Sequence, residues 1–146
     1  METMRNLLSL FNEKPEATCF VMKEGKVIFS SEARGVAPLL EFYKNNGQGT
    51  ELTLVDRIVG RGAMFLAVLA GANIIVTRVI SSPALDIARQ FGVEVDYLKE
   101  VPAIMNRTGD GFCPIETAVL GENDPEGAYE TILSVLKDLR SGKADA

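Results

Sequence analysis

Few side chains in this sequence could carry out catalysis. The 146 residues include no His and only two Cys, which excludes histidine bases, histidine metal ligands and all-cysteine zinc sites. Asp56 is the first candidate, because it is the only carboxylate between Glu51 and Asp86 and lies where a pocket rim is expected. It could act in catalysis or accept hydrogen bonds from a ligand, or it could simply stabilise a turn.

Cys113 is the second catalytic candidate. It directly precedes Pro114 at a predicted helix start, where the pKa of a thiol falls and a nucleophile can form. Without histidine, its base would have to be Asp110 or Glu116. The alternative is an inert, buried cysteine, which is the reading we favour for Cys19 in its apolar strand.

Two predicted helix starts could bind an anion. The first follows residues 56–62, Asp-Arg-Ile-Val-Gly-Arg-Gly, and the second is Ser81-Ser82-Pro83. Both would offer free backbone N–H groups at the carboxyl ends of neighbouring strands, with Arg61 and Arg78 near the same edge. Gly60 and Gly62 could equally form a turn that permits close helix packing, and Phe65 stands where a dinucleotide fingerprint needs its third Gly.

The segment 106–111, Asn-Arg-Thr-Gly-Asp-Gly, could fold over that edge as a binding loop. The alternative is a solvated loop held by an Arg107–Asp110 pair. Together these features give a candidate ligand-binding set: Asp56, Gly60, Arg61, Gly62, Arg78, Ser81, Ser82, Asn106, Arg107 and Asp110.

The elements that must position these residues alternate between strand and helix. A hairpin over 18–23 and 26–31 turns at Glu24-Gly25, and strands are predicted at 51–55, 73–80 and 93–98. Helices are predicted at 2–12, 35–46, 63–70, 82–90 with Ser82 as N-cap, 114–120 and 124–139. The helix at 63–70 is apolar all round, so Phe65, Leu66 and Leu69 should be largely buried.

This pattern predicts one domain over residues 1–141, followed by a flexible tail at 142–146. Parallel strands joined by helices give a three-layer α/β/α fold, and the N-terminal hairpin makes the sheet mixed. Fifteen Lys and Arg against 20 Asp and Glu argue against DNA binding. No apolar stretch reaches the roughly 20 residues of a membrane span, and no secretory signal is present, so we expect a cytoplasmic protein without membrane contact.

Residues 82–90, Ser-Pro-Ala-Leu-Asp-Ile-Ala-Arg-Gln, resemble the second zinc helix of cytidine deaminases, whose pattern is Pro-Cys-x-x-Cys. Gly62-Ala63-Met64 stands where those enzymes carry His-Ala-Glu or Cys-Ala-Glu. The resemblance puts the zinc ligands on Gly62, Ala84 and Ile87 and the catalytic acid on Met64, and none of these could do the chemistry. Segments 56–62, 78–83 and 106–114 more closely resemble a bacterial family of uncharacterised proteins with a cytidine-deaminase-like fold.

Two functional hypotheses follow. The first is a zinc-less, deaminase-like scaffold that binds a nucleoside- or nucleotide-like ligand without deaminating it, and needs no metal or cofactor. The alternative is a metal-free enzyme that acts on a nucleotide through Cys113 or Asp56. A third hypothesis, an oligomeric structural protein with a vestigial pocket, also stays open, and we expect a homo-oligomer in any case.

Overall fold

A computed structural model describes residues 4–105, 109, 111 and 113–141. The five strands are β1 Cys19–Lys23, β2 Lys26–Ser31, β3 Leu52–Val59, β4 Ala72–Ser81 and β5 Glu94–Val101. The helices of this part of the chain are α1 Met4–Leu8, α2 Leu10–Glu13, α3 Ala37–Asn46, α4 Arg61–Ala70, α5 Ser82–Phe91, α6 Pro114–Ala118 and α7 Pro125–Ser141. Of the predicted site, Asn106, Arg107 and Asp110 lie outside the described residues, as does the tail at 142–146.

The sheet is mixed, as the alternation of elements predicts. Its strand order is β2-β1-β3-β4-β5, with β1 antiparallel to both β2 and β3 and the last three strands parallel. The hairpin turns at Glu24 and Gly25, which both have positive φ angles of 52° and 77°. Two such residues give a turn whose twist matches the strands on either side, so the predicted hairpin is confirmed.

Helices cover both faces of the sheet. Leu54 and Ile75 point to the larger core, which α3, α4 and α5 enclose, whereas their neighbours Val55 and Val76 point to a smaller core under α1 and α2. Successive strand residues face opposite sides, so neighbours along β3 and β4 serve different cores. The α/β class of the prediction is therefore confirmed.

Helix α4 lies at the centre of the larger core. It contacts the sheet through β3 and β4, and α3, α5, α6 and α7 pack around it. Phe65 and Leu66 are fully buried, and Leu69 in the last turn is partly buried and packs against the larger core.

Among the element boundaries that differ from the sequence prediction, three concern predicted site residues or a whole helix. Strand β3 continues to Val59 because its β-branched residues Ile58 and Val59 go on pairing with β4, which places Asp56 inside a strand and not at a helix start. The predicted N-terminal helix is divided into α1 and α2 at Ser9. Helix α5 takes Ser81 as its N-cap, in place of the predicted Ser82.

We predict that Leu66→Ala lowers the free energy of unfolding by about 2–5 kcal/mol, because it leaves a cavity in a fully enclosed site. Leu69→Ala is the matched control on the same helix and should cost clearly less. Urea denaturation of both variants measures the difference. An equal loss in the two variants would contradict the fuller enclosure of Leu66, and a loss well below about 2 kcal/mol for Leu66→Ala would contradict the central position of α4.

Candidate ligand-binding site

The N-terminus of α4 holds a carboxylate from the same chain. The backbone N–H of Arg61 donates to Oε1 of Glu116 at 2.6 Å, and the N–H of Gly62 donates to Oε2 at 2.8 Å. Two successive donors therefore bind the two oxygens of one carboxylate, as helix N-termini bind anions generally. We call this arrangement the Glu116 cap.

The glycines on either side of Arg61 make room for the Glu116 cap. A Cβ added at Gly60 would overlap the Glu116 carboxylate, and one at Gly62 would lie 2.8 Å from Cγ2 of Ile115. Gly60 and Gly62 thus form a cradle that a larger residue would fill. The two glycines let α6 pack closely on α4, and the N–H donors of Arg61 and Gly62 are taken by a carboxylate of the same chain.

The guanidinium of Arg61 is held by the chain that follows α6. Its Nε donates to the carbonyl of Val119 at 2.9 Å, and Nη2 donates to the carbonyl of Glu122. The guanidinium carbon also lies 5.4 Å from the ring centroid of Phe65. The cation therefore stands beside the cradle, but its hydrogen bonds go to carbonyls and not to a carboxylate.

At the second predicted anion site, the start of α5, hydrogen bonds to other groups of the protein are also present. Oγ of the buried Ser81 accepts the N–H of Ala84 at 3.2 Å, and Oγ of Ser82 donates to Oε2 of Glu100 at 2.6 Å. Pro83 in the first turn has no N–H to offer. Ser81 and Ser82 therefore stabilise the helix start and connect α5 to β5.

Arg78 lies away from the cradle. Its guanidinium carbon is 5.5 Å from the ring centroid of Phe11, which belongs to the smaller core on the opposite face of the sheet from α4. Arg57, which the sequence did not single out on its own, stacks on the same ring at 4.3 Å and donates to the carbonyls of Pro15 and Ala17. These two arginines therefore bind α2 and the chain that follows it to the sheet.

Asp56 lies inside the sheet with 7% of its surface exposed. Its register partners are Cys19 on β1 and Thr77 on β4, both fully buried. Burial raises the pKa of the Asp56 carboxyl to about 7, although hydrogen bonds from the N–H groups of Arg57 and Ile58 and the charge of Arg57 act to lower it. Burial, and then the charge of Asp56, also raise the pKa of the Cys19 thiol. A carboxyl that titrates near neutrality can exchange a proton at physiological pH.

Cys113 occupies the N-cap position of α6 and is half-buried. Its N–H donates to the carbonyl of Ile104 at 3.1 Å, and its own carbonyl accepts the N–H of Thr117. The carboxylate of Glu116, one of the two bases considered for its thiol, is engaged in the Glu116 cap. The other, Asp110, lies outside the described residues.

Glu116 is the site residue whose role the sequence did not reveal. It lies more than 50 positions after the glycines that it contacts, so no local spacing connects them. One signal was present: between Asp110 and Glu122 it is the only carboxylate, and apolar residues surround it. Such an isolated charge near a core needs a partner.

Residues 7–136 match the profile of a family described as a domain of unknown function, DUF1893. The chain belongs to the DUF1893 family. The crystal structure of a DUF1893 family protein from Thermotoga maritima is similar, with 28% sequence identity, a TM-score of 0.82, and alignment over 92% of this chain and 91% of that one. No curated protein matches the chain.

This DUF1893 domain lacks metal-ligating side chains where the deaminase resemblance would put them. Ala84, Ile87 and Met64 are buried apolar residues, and Gly62 has no side chain. Within the described ranges, no group of three or more His, Cys, Asp or Glu could hold a metal ion. The same part of the chain has no helix that is long and apolar enough to cross a membrane.

We predict that Asp56 makes this DUF1893 domain less stable as the pH rises from about 4 to 7. The folded state binds the Asp56 proton more tightly than the unfolded chain, so the stabilisation present below pH 4 is lost as the pH rises through about 7. Each unit of pKa difference corresponds to about 1.4 kcal/mol.

The measurement is urea denaturation across this pH range. Asp56→Asn should remove most of the pH dependence, whereas Asp96→Asn, at an exposed carboxylate on β5, should leave it intact. A wild-type protein whose stability does not fall between pH 4 and 7 would refute the assignment.

Proposed function

We propose that this DUF1893 domain is a binding module for a nucleoside- or nucleotide-like ligand, on a metal-free, cytidine-deaminase-like scaffold that does not deaminate. The ligand would lie at the carboxyl edge of β3, β4 and β5, where open α/β sheets bind ligands. The Glu116 cap supports this proposal most directly. It is a carboxylate in two-point contact with successive N–H groups, so the cradle has the geometry and polarity that an anionic group requires.

The cradle favours a ligand that carries a phosphate. A phosphate offers several acceptor oxygens to the N–H groups of Arg61 and Gly62, and the positive end of α4 favours its charge. Because Glu116 holds these donors, a nucleotide would bind by exchanging with its carboxylate. Helix α6 has only five residues, so this exchange requires the movement of a short element, and α4 can stay in place.

The residues at the positions of the deaminase zinc ligands and catalytic acid do not favour deamination. A zinc deaminase needs three protein ligands and a carboxylate beside the metal-bound water. The corresponding positions hold Gly62, Ala84, Ile87 and Met64. The space beside Gly62 is filled by Ile115 of α6, which leaves no place there for a bulky ligating residue.

We predict that Glu116→Gln increases the affinity for phosphate-bearing ligands about tenfold. The amide has nearly the shape of the carboxylate but lacks the charge that competes for the N–H groups of α4. The test is a thermal-shift screen of nucleosides, nucleotides and inorganic phosphate, followed by calorimetry on each ligand that stabilises the protein, with product analysis after incubation with cytidine.

Glu130→Gln is the matched control, an exposed glutamate on α7 that should behave as the wild type. Tighter binding to the Glu116→Gln variant alone, with no uridine formed from cytidine, supports the proposal. If no compound stabilises the wild type or the Glu116→Gln variant, the cradle is a helix cap and not a ligand site. The same conclusion follows if ligands bind the Glu116→Gln and Glu130→Gln variants with equal affinity.

One observation favours a second candidate function, a metal-free enzyme that acts on a nucleotide. The Asp56 carboxyl has a pKa of about 7, which suits general acid–base catalysis at neutral pH. Cys113, the other candidate, has no comparable support, since the carboxylate of Glu116 is bound elsewhere.

Asp56→Asn separates the two functions. If the domain only binds, the variant should keep its affinity for any nucleotide found in the screen, and that nucleotide should be recovered unchanged from the wild type. If the domain is an enzyme, the wild type should convert the nucleotide, and the variant should bind it but lose at least 100-fold in rate. Chromatography of the reaction mixtures measures both.

A further inference from the structure

Two arginines share one aromatic ring on the face of the sheet opposite α4. The guanidinium carbons of Arg57 on β3 and Arg78 on β4 lie 4.3 Å and 5.5 Å from the ring centroid of Phe11, which is itself buried. The two arginines are neighbours across the sheet, because both lie between the same two register pairs of β3 and β4. We call this arrangement the Arg57/Arg78 pair.

The Arg57/Arg78 pair forms no ion pair within the described part of the chain, where the ion pair that does occur joins Arg89 to Asp86 on α5. The carboxyl of Asp56, next to Arg57 in the sequence, accepts backbone N–H groups instead. Two like charges on adjacent strands repel each other, and stacking on an aromatic ring offsets only part of that cost. A bound anion would remove the repulsion.

Most hydrogen-bond donors of the pair have no acceptor among the described residues. A guanidinium has five N–H donors in a planar fork. Arg57 uses two of them, on the carbonyls of Pro15 and Ala17, which fixes the position of its side chain. Arg78 makes the contact with Phe11 but no hydrogen bond within the described ranges. Arg57 is therefore a fixed cation, and Arg78 is the residue whose whole fork is available.

The pair can be reached from solvent. The side chains of Arg57 and Arg78 are half-buried, so their charges are less screened by water than those of fully exposed residues. Leu98 on β5 lies beside Arg78 in the register of the two strands, and 62% of its surface is exposed. Helices α1 and α2 therefore do not extend over this part of the sheet.

We propose that the Arg57/Arg78 pair binds the phosphate group of a small molecule. A phosphate monoester carries nearly two negative charges at neutral pH and three acceptor oxygens, which match the two positive charges and the fork of Arg78. A carboxylate balances only one of the two charges. The site does not depend on the function proposed for the cradle, because the pair lies on the opposite face of the sheet from α4.

An NMR titration of the isotope-labelled full chain, at fixed ionic strength, follows each backbone N–H separately and so distinguishes this site from the cradle. Inorganic phosphate and glycerol 3-phosphate should each shift the signals of Arg57, Arg78 and their neighbours in a saturable way. Acetate should bind there about tenfold more weakly, because it balances one charge and not two.

Arg78→Gln should lower the affinity of the pair for both phosphates about tenfold or more, because it removes one charge and a two-point contact. Arg78→Lys keeps the charge without the fork and should restore only part of the affinity. Arg89→Gln is the matched control, an exposed arginine on α5, and should bind as the wild type. Glu116→Gln, in the cradle, should leave the phosphate response of Arg57 and Arg78 unchanged.

Circular dichroism and urea denaturation check that each variant is folded; if Arg78→Gln does not fold, Arg78→Lys supplies the comparison. The proposal is overturned if neither phosphate shifts these signals at about 20 mM, or if Arg78→Gln binds as tightly as the wild type. Equal affinity for acetate would overturn the assignment to a phosphate. Binding only to vesicles that contain phosphatidic acid, with no effect of the two small phosphates, would overturn the assignment to a small molecule.

Discussion

The enclosure of α4 is the constraint on which the rest of the structure depends. A ten-residue helix without a polar face cannot lie on a surface, because its exposed apolar area would destabilise the fold. The sheet covers one side of α4, α3 and α5 flank it, and the C-terminal α6 and α7 cover the side away from the sheet. The C-terminal helices are therefore part of the larger core.

The Glu116 cap follows from this enclosure. Once α6 is packed over the start of α4, the free N–H groups of Arg61 and Gly62 lose contact with water and need an acceptor. Glu116 supplies two oxygens, and the carbonyls of Val119 and Glu122 take the guanidinium of Arg61. The arrangement that completes the core thus occupies the N–H donors that the proposed ligand would need, so the proposed function couples stability to ligand binding.

Among the described residues, the buried polar side chains of the sheet are those of Asp56, Thr77 and Ser81, and Asp56 is the one with a carboxyl group. Between Cys19 and Thr77 the carboxyl is too poorly hydrated to ionise at its usual pH, and the backbone N–H groups of Arg57 and Ile58 only partly compensate. A valine at this position would have no carboxyl group to desolvate. That a carboxyl stands there is the best reason to look for proton chemistry in this domain.

Several elements can be predicted from strong local signals in the sequence. Glu24-Gly25 specified the hairpin turn, the β-branched runs specified β3 and β4, and the apolar segment at 63–70 specified a buried helix, so the α/β class followed from their alternation. The sequence also excluded whole classes of catalytic site through the residues it lacks. These conclusions depend on interactions within a few residues along the chain or on composition, which can be read directly.

The contacts between these elements become visible only in the tertiary structure. It places Arg78 on Phe11, across the sheet from Arg61, whereas the sequence predicts both at one edge, because the face of a strand residue depends on a register that the sequence does not show. It extends β3 past Asp56 through pairing with β4, and it brings Glu116 to Gly60 and Gly62 from more than 50 residues away. Local patterns cannot specify such contacts, because the partners meet only after the chain has packed around α4.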